Sequence, residues 1–177
     1  MPSPAPVPPQ KILARVLTVS AVDGWSIIAI AGLGTLLTLA FGDASGAFTG
    51  LLIVAAGCLE LSGRRRLLRR DPGGMKRLVR AQLFLLAVIL LYCVTRLTGF
   101  DAELAMSNLT PEMEAALKDA GVMRADILPL VQIAFYGAYS LFALVSLLLQ
   151  GGLILYYRSR TARVAEALAL PPQSPLA

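Results

Sequence analysis

Histidine is absent from the 177 residues, and cysteine occurs only twice. Without imidazole there is no bis-histidine haem ligation, none of the usual zinc or copper sites and no histidine proton relay. A serine such as Ser140 has no base to activate it. No P-loop, G-x-S-x-G elbow or H-E-x-x-H pair occurs either. The residues therefore point to no catalytic centre, no cofactor and no metal. Cys58 and Cys93 lie in separate apolar runs without C-x-x-C spacing, and the topology argued below puts them at opposite depths. A disulfide needs Cα atoms within about 7 Å, so both are predicted to be free, buried thiols.

Charge is scarce as well. Only 15% of the residues are charged against 56% hydrophobic, and the mean hydropathy is +0.70. A soluble core of this size cannot hide that much apolar surface, so a bilayer has to take the surplus. Four apolar stretches, 24–41, 47–62, 81–98 and 127–157, meet or approach the roughly 20 residues that a helix needs to cross the hydrocarbon. The second is the shortest and requires Glu60 and Ser62 to sit near the headgroups, where a carboxylate stays hydrated. The expected fold is all-α: a polytopic membrane protein with four transmembrane helices arranged as two antiparallel hairpins. A single membrane domain is expected over 11–163, between a Pro-rich tail (1–10, with five prolines) and a C-terminal tail (164–177).

Orientation follows from the cations. Lys11 and Arg15 precede the first span, and eight Lys and Arg lie between 63 and 80. Arg158, Arg160 and Arg163 follow the last span, so thirteen of the sixteen are on one side. Only Arg96, Lys118 and Arg124 belong to the other. Lys and Arg are retained on the cytoplasmic side, so both termini are expected there, and the short loops suit a bacterial inner membrane. The pI near 9.6 is thus a topology signal and no nucleic-acid footprint, because the cations adjoin spans and lack interleaved aromatics. The hinge cations Arg64, Arg65, Arg66, Arg69, Arg70, Lys76, Arg77 and Arg80 are expected to hold anionic lipid headgroups.

Before the first span, Ile12, Leu13, Val16, Leu17 and Ala21 recur at helical spacing and predict an interfacial helix. A new helix is then expected to start at Asp23-Gly24-Trp25-Ser26, with the carboxylate as cap and the indole as interface anchor. Basic residues ahead of an apolar run, followed by Ala44-Ser45-Gly46, also fit a cleaved leader over 1–46. A span-length run after a Pro-rich start favours retention. The first two spans are joined by Gly42 to Gly46 and must pair antiparallel. Gly46, Gly50 and Gly57 offer a small-residue face for that packing, and Gly32 and Gly34 flatten the first span. Asp71-Pro72-Gly73-Gly74 breaks the chain between spans two and three, with the next helix starting near Met75.

On the outer side, Thr110 caps and Pro111 starts a short amphipathic helix, with Glu112 and Glu114 in its first turn, Lys118 near its end and Gly121 terminating it. Asn108-Leu109-Thr110 is read as part of that cap. Pro129 marks the start of the last span, Gly151-Gly152 offers a place to bend, and Tyr156-Tyr157-Arg158 forms an interface belt.

Ionisable and polar groups within the spans are the place to look for function. Glu60 is foremost, and Arg64 one turn on makes it a capping ion pair at the inner interface. Gln82 and Gln150 are placed near the same level as a small interhelical network. Arg96 snorkels at the outer end of span three, and Gln132, Tyr136 and Tyr139 share the outer half with it. The pattern as a whole predicts a non-catalytic membrane subunit or scaffold, working through helix and lipid contacts with a membrane-protein partner. The alternative is a small homo-oligomeric transporter or channel with Glu60, Arg96 and the Tyr136/Tyr139 face along its path.

Overall fold

The computed structural model describes residues 8–103, 111–119, 121 and 124–171. Among these it is all-helical, without strands. The elements are α1 (Pro9–Ala40), α2 (Ala44–Leu68), α3 (Gly73–Thr98), α4 (Pro111–Asp119) and α5 (Arg124–Ala169). Four of them, α1, α2, α3 and α5, are long and apolar enough to cross a membrane. Their outer faces agree with that. Ile30, Leu33, Phe41, Phe48, Leu91, Leu130, Ile133, Leu148 and Leu155 are all more than half exposed. A soluble monomer rarely shows so extensive an apolar surface, whereas lipid chains cover it at no cost.

The chain divides into two compact units, residues 1–88 with 147–177, and residues 89–146. In the first, α1 and α2 are packed along their length. The contacts run in opposite order along the two helices: Thr35 with Gly50, Ile28 with Gly57, Gly24 with Leu61, and Leu17 with Arg64. Between α1 and α2 the chain reverses at Gly42, whose φ of +75° only glycine adopts freely. Asp43 then caps α2 by accepting from Gly46 N and Ser45 Oγ, both at 2.9 Å.

Gly46, Gly50 and Gly57 all face α1: a methyl group at any of them would overlap Thr38, Thr35 or Ile28. This small-residue stripe is therefore consumed within the chain. Gly32 and Gly34 are different, with nothing within 4 Å of a Cβ at either position. They flatten no packed face. A second glycine seam went unread in the sequence: a Cβ at Gly63 would stand 3.0 Å from Leu78, and one at Gly74 2.7 Å from the carbonyl oxygen of Gly63. These two glycines bring α2 and α3 close beside the turn at residues 69–72. Beyond them lies the apolar core of this unit, where Ile12 and Val16 of α1, Leu67 of α2, Met75 and Leu78 of α3, and Tyr157 and Val164 of α5 are buried together.

Several expectations need correction. The separate interfacial helix and the new start at Asp23 are replaced by one uninterrupted helix of 32 residues, which begins at Pro9. Gly24 does not break it, because its bare Cα is where Leu61 packs. Residues 1–7 of the Pro-rich tail, Asn108 to Thr110 of the proposed cap, and residues 172–177 lie outside the described residues. Pro129 sits inside α5 rather than at its start. Gly151 and Gly152, the expected place to bend, lie within the same helix, and Val164 and Ala167 beyond them are buried. Cys93 is buried and free, but Cys58, also free, is exposed on α2, on a face that the other helices leave open.

In the second unit, the last turns of α3 and the residues just after it meet the first half of α5 through aromatic rings. Tyr92 and Tyr139 stand edge to face at 6.0 Å, and Phe100 and Phe135 do so at 5.0 Å. Within α5, Phe135 and Tyr139 lie one turn apart with ring centres at 4.7 Å. α4 ends before Gly121, whose φ is +71°.

Candidate functional site: a buried carboxylate cluster

The first compact unit contains one polar cluster to which each long helix contributes a side chain. From α2, Glu60 is fully buried. Its Oε1 accepts from the hydroxyl of Tyr157 on α5 at 2.7 Å, and its Oε2 accepts from Nε2 of Gln82 on α3 at 2.8 Å. The same amide nitrogen also donates to Oδ2 of Asp23 on α1, at 2.6 Å. Gln82 thus spends each of its two amide hydrogens on a different carboxyl group. Its carbonyl oxygen, Oε1, is buried without a hydrogen-bond partner.

The local sequence explains how four helices converge here. Gly57 and Gly63 lie three residues to either side of Glu60 and admit α1 and α3 respectively. Glu60 is thereby drawn into the space between the helices. Asp23 precedes Gly24, the position on α1 where Leu61 packs. Gln82 lies one turn beyond Leu78, which packs on Gly63. Tyr157 is fully buried within the core of Leu67, Leu78 and Val164, so its ring is fixed and its hydroxyl is directed at Glu60.

This geometry revises the expected role of Glu60. It is fully buried, and the donors to its two oxygens are side chains of Gln82 and Tyr157. Glu60 does not pair with Arg64, whose Nε donates instead to the carbonyl oxygen of Leu17 on α1, at 3.1 Å. Among the described residues no Lys or Arg forms an ion pair with Glu60 or Asp23. Gln82 joins Glu60 as expected, but Gln150 does not, and its Oε1 is buried without a partner. Asp23 and Tyr157 take its place. Tyr157, expected in an interface belt, is buried here, while the ring of neighbouring Tyr156 carries the Arg160 guanidinium at 4.5 Å.

No family model, no curated protein and no solved structure matches the chain.

The expected polar residues of the outer half, Arg96, Gln132, Tyr136 and Tyr139, fall in the second unit. The Arg96 guanidinium lies 5.1 Å from the ring centre of Tyr92, a cation–π contact, and Tyr92 in turn meets Tyr139. Tyr136 packs on Phe100 and Phe135, while Gln132 is exposed. Arg96, Tyr136 and Tyr139 thus belong to an aromatic group of their own, in a different compact unit from Glu60.

The hinge cations are divided among distinct tasks. Arg66 stands 3.6 Å from Asp71, and Nη2 of Arg70 donates to the carbonyl oxygens of Leu168 and Leu170 at the end of α5. Arg65 and Arg69 are exposed. Arg66, Lys76, Arg77 and Arg80 line a common cavity.

Chemically, the cluster on Glu60 supplies two carboxyl groups, an amide and a phenol. Among the described residues no three of His, Cys, Asp and Glu come together. Such a set can join helices or hold a proton or small cation through oxygen atoms.

Proposed function

We propose that this chain is a non-catalytic integral membrane subunit or scaffold, anchored in a bacterial inner membrane with both termini cytoplasmic. Its four spans form two antiparallel hairpins, α1 with α2 and α3 with α5. The first turns of α1 and the last turns of α5 project on the cytoplasmic side, and α4 rests against the outer leaflet. At about 1.5 Å per residue, the 46 residues of α5 extend to about 69 Å, more than twice the hydrocarbon thickness of about 30 Å. A projecting end is therefore required.

The observation that carries this reading is the joining of all four long helices through the cluster on Glu60. Its two oxygens are taken by donors from two other helices, and one of those donors also binds Asp23 on the fourth. Buried polar groups used in this way fix which helices pair and in what register, at little net gain in stability. The exposed apolar faces remain available to a partner's helices.

One observation favours the transport reading as a second. The unpartnered Oε1 of Gln82, beside two carboxyl groups without a basic partner, makes the cluster rich in acceptors and suited to a proton or small cation. Native mass spectrometry after gentle extraction from the source membrane tests the choice, together with flux measurements on wild type and Glu60→Gln. A complex with a different polypeptide in fixed ratio, and ion flux at background in both proteins, is expected. A symmetric homo-oligomer whose flux disappears in Glu60→Gln overturns the scaffold reading in favour of transport.

A further inference from the structure

Between α2 and α3, beside the turn that joins them, lies a cavity of about 590 Å³. Its α3 wall is one helical face, at positions 73, 76, 77, 80, 81 and 84, and its α2 wall is Leu59 and Arg66, two turns apart. Composition changes along it. The end near the turn carries Arg66, Lys76, Arg77 and Arg80, the far end carries Leu59 and Phe84, and no acid contributes to the lining. Arg66 stands 3.6 Å from Asp71, in a half-exposed pair that contributes little in water. Lys76, Arg77 and Arg80 form no ion pair among the described residues.

Like charges at adjacent turns of one helix repel, and among the described residues this face has no counter-charge beyond Asp71. A ligand that fits must be anionic at one end and apolar at the other. The volume lies in the range of small-molecule sites and offers far more room than a bare phosphate ion needs. The cationic end lies at the level where positive residues flank a span on the cytoplasmic side, the level of phospholipid headgroups.

We infer that this cavity is a discrete binding site for one anionic phospholipid. Its phosphate meets Arg77, Arg80 and Lys76, and its acyl chains descend along Leu59 and Phe84. The site is narrower than the whole basic hinge, since Arg64 and Arg70 are engaged with backbone carbonyls and Arg65 and Arg69 lie outside the cavity lining. The inference rests on the inward orientation of the turn only for the leaflet that supplies the lipid. Binding in detergent reads the cavity alone, so a wrong orientation and a wrong site fail separately.

The test is a native mass spectrometry titration of the purified full chain in detergent. The probes are phosphatidylglycerol, phosphatidylcholine with the same acyl chains, and inorganic phosphate. A single phosphatidylglycerol is expected to be retained at least about tenfold more tightly than phosphatidylcholine. Arg77→Ala with Arg80→Ala should weaken it by about tenfold or more, and Arg80→Gln alone, at an exposed position, by about fivefold. Arg65→Ala with Arg69→Ala, at the same turn but outside the lining, should leave affinity within about twofold. Equal loss in the two double variants would mean diffuse charge attraction and overturn the site. Equal retention of the two lipids would overturn it too, and so would inorganic phosphate binding as tightly as the lipid, which would identify a soluble anion as the ligand.

Discussion

Tyr157 and Glu60, ninety-seven positions apart in the chain, meet through a 2.7 Å hydrogen bond in which the phenol donates to the carboxyl group. Both side chains are fully buried. Truncating one partner strands the other, and stranding costs more than the bond itself contributes. Tyr157→Phe should therefore destabilise the protein by about 1–2 kcal/mol, at the upper end of what hydrogen bonds between membrane helices contribute. Tyr156→Phe, at a half-buried ring that makes its contact through its face, should stay within about 0.5 kcal/mol. Unfolding in mixed micelles measures both. Because Glu60→Gln acts on the same bond, the double variant should cost less than the two single changes together. Strict additivity would mean that the two groups are not coupled.

The glycine stripe on α2 makes a second, independent demand. A Cβ at Gly57 would lie 2.8 Å from Cγ1 of Ile28 and 3.1 Å from the carbonyl oxygen of Gly24, so one contact is with backbone that cannot turn aside. Gly57→Val should cost about 1–3 kcal/mol through forced separation of α1 and α2. Gly32→Val, with open space around its Cβ, should cost no more than about 0.5 kcal/mol. If unfolding shows the two to be equal, the α1–α2 seam is misplaced.

The four spans were legible in the sequence because length and hydropathy alone decide whether a helix can cross a bilayer. The centre of the cluster was only half legible. Glu60 and Gln82 stood out as polar residues in apolar runs, but Asp23-Gly24-Trp25-Ser26 imitates a helix start closely enough to hide an acid from the interior of α1. Gln150 and Tyr157 are seven residues apart and so share one face of α5, while differing by about 10.5 Å along its axis. Periodicity identified that face and could not choose the level. Tyr157 was hidden among interface aromatics, and only the packing of Leu67, Leu78 and Val164 around its ring distinguishes it from Tyr156.

Arg70 combines two opposing effects. Its φ of +61° is strained for a residue with a Cβ, yet its guanidinium satisfies the carbonyl oxygens of Leu168 and Leu170, which the end of α5 leaves without helical partners. Arg70→Ala loses the bonds and keeps the strain, whereas Arg70→Gly loses both. The alanine variant should therefore be the less stable by about 1 kcal/mol. In both, hydrogen exchange of the last-turn amides of α5 should quicken, with the amides of α2 near Glu60 unaffected. Unchanged exchange at the end of α5 would show that Arg70 does not hold it.

The two thiols give the simplest reading of which helix faces are covered. Cys58 lies on the open side of α2, while Cys93 is buried to 1% exposure. A membrane-permeant maleimide should add one label per chain in native micelles. Cys58→Ser should abolish that label, and Cys93→Ser should retain it, with a second site reacting in the wild type only after denaturation. Intact-mass measurement distinguishes these cases directly. Because Cys58 is two residues from Glu60, prompt labelling also tests whether the cluster is entered from the α2 side. If the bulky adduct at Cys58 leaves the unfolding transition unchanged within about 0.5 kcal/mol, the face is open and the cluster is closed from that direction. A large loss would mean that the face is covered, by another helix or by a second subunit.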